Sequence, residues 1–107
     1  MAHYLVKGKP VEEKSRELKA KVMGRGFSHL RPFGSALSFS LENARLDRSG
    51  SWLWEEEDYC SPPLAQERRA VLDLYFTELE VEKVSPGSGW EKIGDYPRVF
   101  PESGAGE

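Results

Sequence analysis

The chain is 107 residues long, 38% of them hydrophobic, with ten glycines, one cysteine and a formal net charge of −3. That length fits one domain with a real core and excludes two, and the composition excludes a wholly disordered chain. No apolar run approaches the roughly 18 residues of a spanning helix and the first ten residues lack a secretory h-region, so a cytoplasmic protein with no membrane contact is expected. The lone Cys60 permits no intrachain disulfide, in keeping with a reducing compartment. Charge is uneven: residues 1–54 hold ten Lys/Arg against five Asp/Glu, and residues 55–107 five against thirteen. Such a split suits a basic surface for an anionic partner, or halves and copies that face one another; charged runs are more commonly solvated faces, which favours the second.

In chain order, His3–Lys7 is short, aromatic and β-branched, with Tyr4 and Val6 on one face and Leu5 on the other, as in a strand covered on both sides. Pro10 predicts a helix through Met23, with Val11, Ser15, Leu18 and Val22 on one stripe, i,i+4 pairs Glu12/Arg16 and Glu17/Lys21, and Gly24 as a left-handed C-cap. Residues 24–34 form a long connection. Its arginines, histidine and glycines could face an anion, but the glycines lack phosphate-loop spacing, and Phe27, Leu30 and Phe33 are expected to fold back onto the core.

Residues 35–41 alternate, with Leu37, Phe39 and Leu41 opposite Ser38 and Ser40, which predicts a strand; Leu37, Leu41 and Ala44 also fit a helix. The strand is favoured because Asp47-Arg-Ser-Gly50 reads as a type I hairpin turn running into Trp52-Leu-Trp54. That hairpin pairs Leu46 with Trp52 and Ala44 with Trp54, but also sets Glu42 against Glu56, and it leaves apolar groups on both of its faces. One helix layer covers one sheet face, so a second copy of the chain is expected on the other.

Ser61 as N-cap and Pro62 at the first helical position predict the core helix, running to about Phe76. Its apolar face is Leu64, Val71, Leu72, Tyr75 and Phe76, with Gln66, Glu67, Arg69 and Asp73 mostly outward. Residues 77–83 alternate glutamates with Leu79 and Val81, as an edge strand would. After the turn at 85–89, Trp90, Ile93, Tyr96, Val99 and Phe100 are too apolar to float free. Pro97 and Pro101 oppose an ordinary strand or helix there, so an arm docked on the domain or on a neighbouring subunit is expected.

The resulting order predicts an α+β fold in the ferredoxin-like split βαβ pattern (βαββαβ), an antiparallel sheet with two helices on one face, plus a C-terminal docking arm. The domain covers 1–84, the arm 85–101, and 102–107 is expected to be a disordered tail. This scaffold is widely reused, so function has to be argued from sites. RNA-recognition domains of this shape place aromatics in a basic, glycine-containing motif on the third strand, whereas Trp52-Leu-Trp-Glu-Glu-Glu-Asp58 would repel phosphate, which argues against nucleic acid. Metal-carrying domains of this pattern use Cys-x-x-Cys, and one cysteine with two distant histidines shows no zinc spacing, so no metal and no cofactor are expected.

Cys60, beside a helix start, is a candidate nucleophile with Tyr59 adjacent and His29 as base; the four acids before it disfavour a thiolate, and a small buried hydrophobe is the favoured reading. Those acids could hold a divalent cation, but consecutive strand residues face opposite ways, so at most two converge, and a solvated edge is favoured. Arg25, His29 and Arg31 are the candidate anion or ligand contacts. Trp52, Trp54, Trp90, Tyr96 and Phe100 are the candidate interface. The leading expectation is a non-enzymatic, homodimeric binding or interaction module open to a small ligand. The alternatives are a small enzyme with a cleft at Tyr59, Cys60, His29 and Arg31, and an anion or nucleic-acid binder using the basic N-terminal half.

Overall fold

The computed structural model describes residues 2–101. It is an α+β domain with a four-stranded antiparallel sheet: β1 (Ala2–Pro10), β2 (Arg45–Leu46), β3 (Trp52–Asp58) and β4 (Phe76–Val84), in the order β2-β3-β1-β4. Helices α1 (Ser15–Met23) and α2 (Gly34–Glu42) connect β1 to β2, α3 (residues 65–75) connects β3 to β4, and the short α4 (Ser88–Lys92) follows β4.

The sheet register follows from which residues must be buried together. Val6 lies opposite Trp54, Gly8 opposite Trp52 and Tyr4 opposite Glu56, so these side chains share one face. On that face Leu18 and Val22 of α1, Leu37 and Leu41 of α2, and Val71, Leu72 and Tyr75 of α3 close over the tryptophans. Trp52 meets Phe76 and Phe100 edge-on at 5.4 and 5.5 Å between ring centroids, an arrangement aromatic rings prefer. The Tyr75 hydroxyl donates to Glu17 of α1 at 2.6 Å, and burial with that neighbouring carboxylate pushes the phenol up to about 12.

The hairpin turn forms as its residues dictate. Asp47 accepts from the N–H groups of Ser49 and Ser51, the Gly50 N–H returns to the Asp47 carbonyl, and Leu46 pairs with Trp52. Burial raises the Asp47 carboxyl, but the Ser49 hydroxyl, those N–H groups and Lys7 outweigh it and hold it below the usual range.

Several expectations are corrected. Residues 34–42 are a helix, leaving β2 only two residues long, so two helices fill the first crossover and three share the core face. The helix buries Leu37 and Leu41, four apart, and turns Phe39 to solvent. Gly34 permits its entry: a Cβ there would stand 2.5 Å from the Phe27 carbonyl oxygen. With Glu42 at the end of α2, the expected clash with Glu56 does not arise. β1 continues through Pro10, and α1 begins at Ser15 after a 3-10 turn (Glu12–Lys14). Its left-handed residue is Arg25 (φ 57°), not Gly24; the N–H groups of Arg25 and Gly26 return to Val22 and Lys21, closing the last turn. The core helix starts at Ala65, because Pro62 precedes Pro63 and is thereby pushed out of helical conformation. Its middle, Arg68–Leu72, is a π turn.

Both sheet faces are covered within one chain. Trp52 and Trp54 sit under the helices and are almost wholly inaccessible. On the other face α4 lies against β3 and β1, a short helix that overlaps the turn expected at 85–89 and ends before Pro97. The chain then runs beside β2, with Leu46 N–H bonded to the Pro97 carbonyl and Val99 N–H to the Ala44 carbonyl, and Phe100 enters the core. The reason for expecting a second copy, apolar groups bared on one face, is therefore removed. The tail expected at 102–107 lies outside the described residues. Replacing Phe100 with Ala should cost about 3–5 kcal/mol in urea unfolding followed by tryptophan fluorescence; a loss below about 1 kcal/mol would contradict this packing.

Candidate functional site

Strand β3 carries four consecutive acids, and three of them, Glu55, Glu56 and Asp58, are buried; only Glu57 is exposed. Alternation sends Glu55 to the α4 face and Glu56 to the helix face, so the two have different neighbours.

Glu55 caps α4. Its carboxylate accepts from the N–H groups of Gly87 at 2.8 Å and Trp90 at 3.1 Å and lies 3.0 Å from His3 Nδ1. Gly89 allows this approach, since a Cβ there would stand 2.9 Å from Glu55 Oε1. Burial raises the carboxyl, and the N–H donors with the His3 ring more than reverse it, leaving Glu55 below the usual range. Its chemistry is spent on holding the chain in place.

Asp58 is also partnered, in part. Its Oδ2 accepts from the N–H of Cys60 at 2.9 Å and of Leu64 at 2.6 Å, which fixes the loop between β3 and α3 and caps the helix start. Leu64 holds a left-handed conformation (φ 62°) at that cap.

Glu56 and Glu67 are the anomaly. They are 2% and 1% exposed, and Glu56 Oε2 and Glu67 Oε1 have no hydrogen-bond partner. Trp54 Nε1 donates to Glu56 Oε1 at 3.0 Å. Burial, the Glu67 charge and a proton shared with Glu67 push Glu56 well above the usual carboxyl range, against the opposing Trp54 bond. Burial likewise raises Glu67, and the nearby Asp58 charge adds to this, although the bond from Glu56 opposes it. Both shifts favour a proton held between the two carboxyls, as expected of closely spaced buried acids.

Glu67 of this pair lines a cleft of about 460 Å³ together with Glu57, Asp58, Tyr59, Cys60, Gln66, Phe33 and Pro32, and Glu56 is not among its lining residues. Among the described residues that line it, none is Lys, Arg or His. The ligand atoms of Asp58, Cys60 and Glu67 all lie within 4.8 Å of one another. What the cleft offers is acceptor oxygens, one sulfur and an aromatic and proline rim. Such a site attracts cations and donors and repels anions.

The sequence candidates separate. Tyr59 and Cys60 line this cleft, whereas His29 and Arg31 are exposed on the loop before α2 and do not. Arg25 is engaged by Glu42 at 2.7 Å. Trp90 is half-buried, Tyr96 is partly exposed, and Trp52, Trp54 and Phe100 belong to the core. Glu67 was expected outward. Its spacing from Val71 and Tyr75, i, i+4 and i+8, was the signal that it shares their buried stripe. A larger groove of about 540 Å³ lies between α1 and residues 99–101, but its charged groups, Arg25 and Glu42, neutralise each other. No family model, curated protein or solved structure matches the chain.

Glu56 fixes a pH dependence. Its folded carboxyl lies above its unfolded value near 4.5, so the folded state binds the proton more tightly. Its stabilising contribution is full below that value and is lost as pH rises through the raised one. In Glu56→Gln the amide carbonyl still accepts from Trp54 and its N–H donates to Glu67. The variant should be more stable than the parent by roughly 1–3 kcal/mol at about pH 8 and nearly equal at about pH 5, in thermal melts with chelator present. An equal effect at both would contradict the shared proton.

Proposed function

We propose that this domain is a non-enzymatic binding module of ferredoxin-like arrangement that takes a cationic ligand in the acid-lined cleft between β3 and α3. The observation that carries the reading is the Glu56–Glu67 pair, two buried carboxyls with unpartnered oxygens beside Asp58 and an approach lined without a basic residue. Burying such groups without a counter-charge is costly, and carboxyls perturbed by burial and a like-charged neighbour in a cleft are candidates for a functional site. The strand order β2-β3-β1-β4, antiparallel throughout, with α1, α2 and α3 on one face, supports the ferredoxin-like arrangement. Residues 85–101 act in this reading as an arm that clasps the sheet.

Binding is favoured over catalysis because one oxygen of Asp58 is held by two backbone N–H groups and, among the described residues, no histidine or lysine lines the cleft to activate the thiol of Cys60. The single cysteine supports a cytoplasmic setting, where it stays reduced. No helix among the described residues is long and apolar enough to cross a membrane.

The test is a thermal-shift panel of alkylamines, diamines, guanidinium compounds and divalent metal chlorides, with sulfate and phosphate as anionic counterparts. A cationic member present at about 100 times its Kd should add about 2.7 kcal/mol, a rise of roughly 10 °C, and Glu67→Gln should abolish it. Stabilisation by the anions instead, or a cation response untouched by Glu67→Gln, would refute the proposal.

A further inference from the structure

We infer that Asp58, Cys60 and Glu67 form a site for a divalent transition-metal ion of the zinc type. This rests on the reading that the cleft takes a cation, and it names which cation.

The three residues come from three separately anchored elements: the last position of β3, the loop after it, and the first turn of α3. Their ligand atoms already lie within 4.8 Å of one another. Around a tetrahedral zinc, with bonds of about 2.0–2.3 Å, the donors stand about 3.5 Å apart. Closing that difference takes side-chain rotation of the loop cysteine and adjustment of one carboxylate, with the strand and helix left where they are.

Acids gathered near a cysteine do not by themselves make a metal site; the state of Glu67 does the deciding. It is 1% exposed, lines the cleft, and keeps Oε1 without any hydrogen-bond partner. Glu56 stands behind it, 2% exposed, with Oε2 in the same condition. A cation in the cleft supplies a partner for the Glu67 carboxyl. Asp58 is prepared in the way metal-bound carboxylates commonly are: backbone N–H groups of Cys60 and Leu64 hold Oδ2, leaving Oδ1 as the donor on offer.

The donor set decides the metal. Magnesium and calcium require six or more oxygens, whereas one thiolate and two carboxylates suit zinc and its tetrahedral analogue cobalt. On binding, the sulfur–hydrogen bond of Cys60 is replaced by a sulfur–metal bond, and the proton leaves to solvent. Three protein donors leave a fourth position on the open side of the cleft, for water or an outside ligand.

The experiment uses the full chain, reduced and stripped with chelator, titrated with cobalt(II) and then with zinc(II) against a chromophoric chelator. Cobalt should bind one per chain, give a near-ultraviolet thiolate-to-cobalt charge-transfer band, and be displaced by zinc. Cys60→Ser should erase the band, and both it and Glu67→Gln should weaken zinc binding by at least about 100-fold, the upper end of what even a supporting residue costs. Absence of the band, zinc affinity unchanged in Cys60→Ser, or a preference for magnesium or calcium overturns the assignment. Retained binding of an organic cation alongside any of these results defeats the metal alone. Loss of every cation response defeats the wider reading with it.

Discussion

Strand β3 is buried on both faces yet carries four acids, and the way each buried charge is met determines where the neighbouring elements lie. Glu55 draws in the N–H groups of Gly87 and Trp90 and the His3 ring, which seats α4 on the outer face of the sheet. Asp58 takes the N–H groups of Cys60 and Leu64, which turns the chain sharply from strand to helix. The loop and the C-terminal segment thus owe their positions to carboxylates. Apolar packing alone, being non-directional, would not specify them.

Much of this architecture was legible because local chemistry and global burial agree along most of the chain. Asp47 and Gly50 wrote the turn, and the turn set Leu46 against Trp52. The stripe Leu18 and Val22 identified the buried side of α1. Over residues 35–41 local pattern does not separate strand from helix, because Leu37 and Leu41 satisfy a period of two and a spacing of four alike. The hairpin turn at Asp47–Gly50 running into Trp52 tips the reading to a strand, whereas in the structure Phe39, the third apolar residue of the alternation, is exposed. What decides the matter is remote: the close approach of the Phe27 and Ser28 carbonyls to Gly34, and the Ser40 hydroxyl donating to the Glu55 carbonyl at 2.8 Å. Neither is visible in a window of sequence.

The candidate site was half legible for the same reason. Tyr59, Cys60 and the acids stood out as a polar turn between two rigid elements. The residue that completes them, Glu67, lies on the next helix, and a charge in an apolar stripe reads naturally as an outward position. Counting each acid on β3 as a solvated edge group also assumed an edge, whereas β3 is interior, flanked by β1 and β2. The asymmetric cover of the sheet, three helices on one face and α4 on the other, likewise puts Trp52 and Trp54 inside the core instead of on a contact between copies.

The contrast among the buried acids gives the site its weight. Glu55 and Asp58 have donors that answer them, and those bonds explain why a carboxylate, not an apolar residue, occupies each position. The same account fails for Glu56 and Glu67. One shared proton and the Trp54 bond leave an oxygen on each unanswered, and an apolar pair of equal volume would leave none. Departures from local consistency of this kind concentrate where a protein binds something. The π turn that begins at Arg68, directly after Glu67, is a second departure at the same place, and such turns are frequent at functional sites. Strand, loop and helix thus converge on one cleft through groups whose demands the fold itself leaves open.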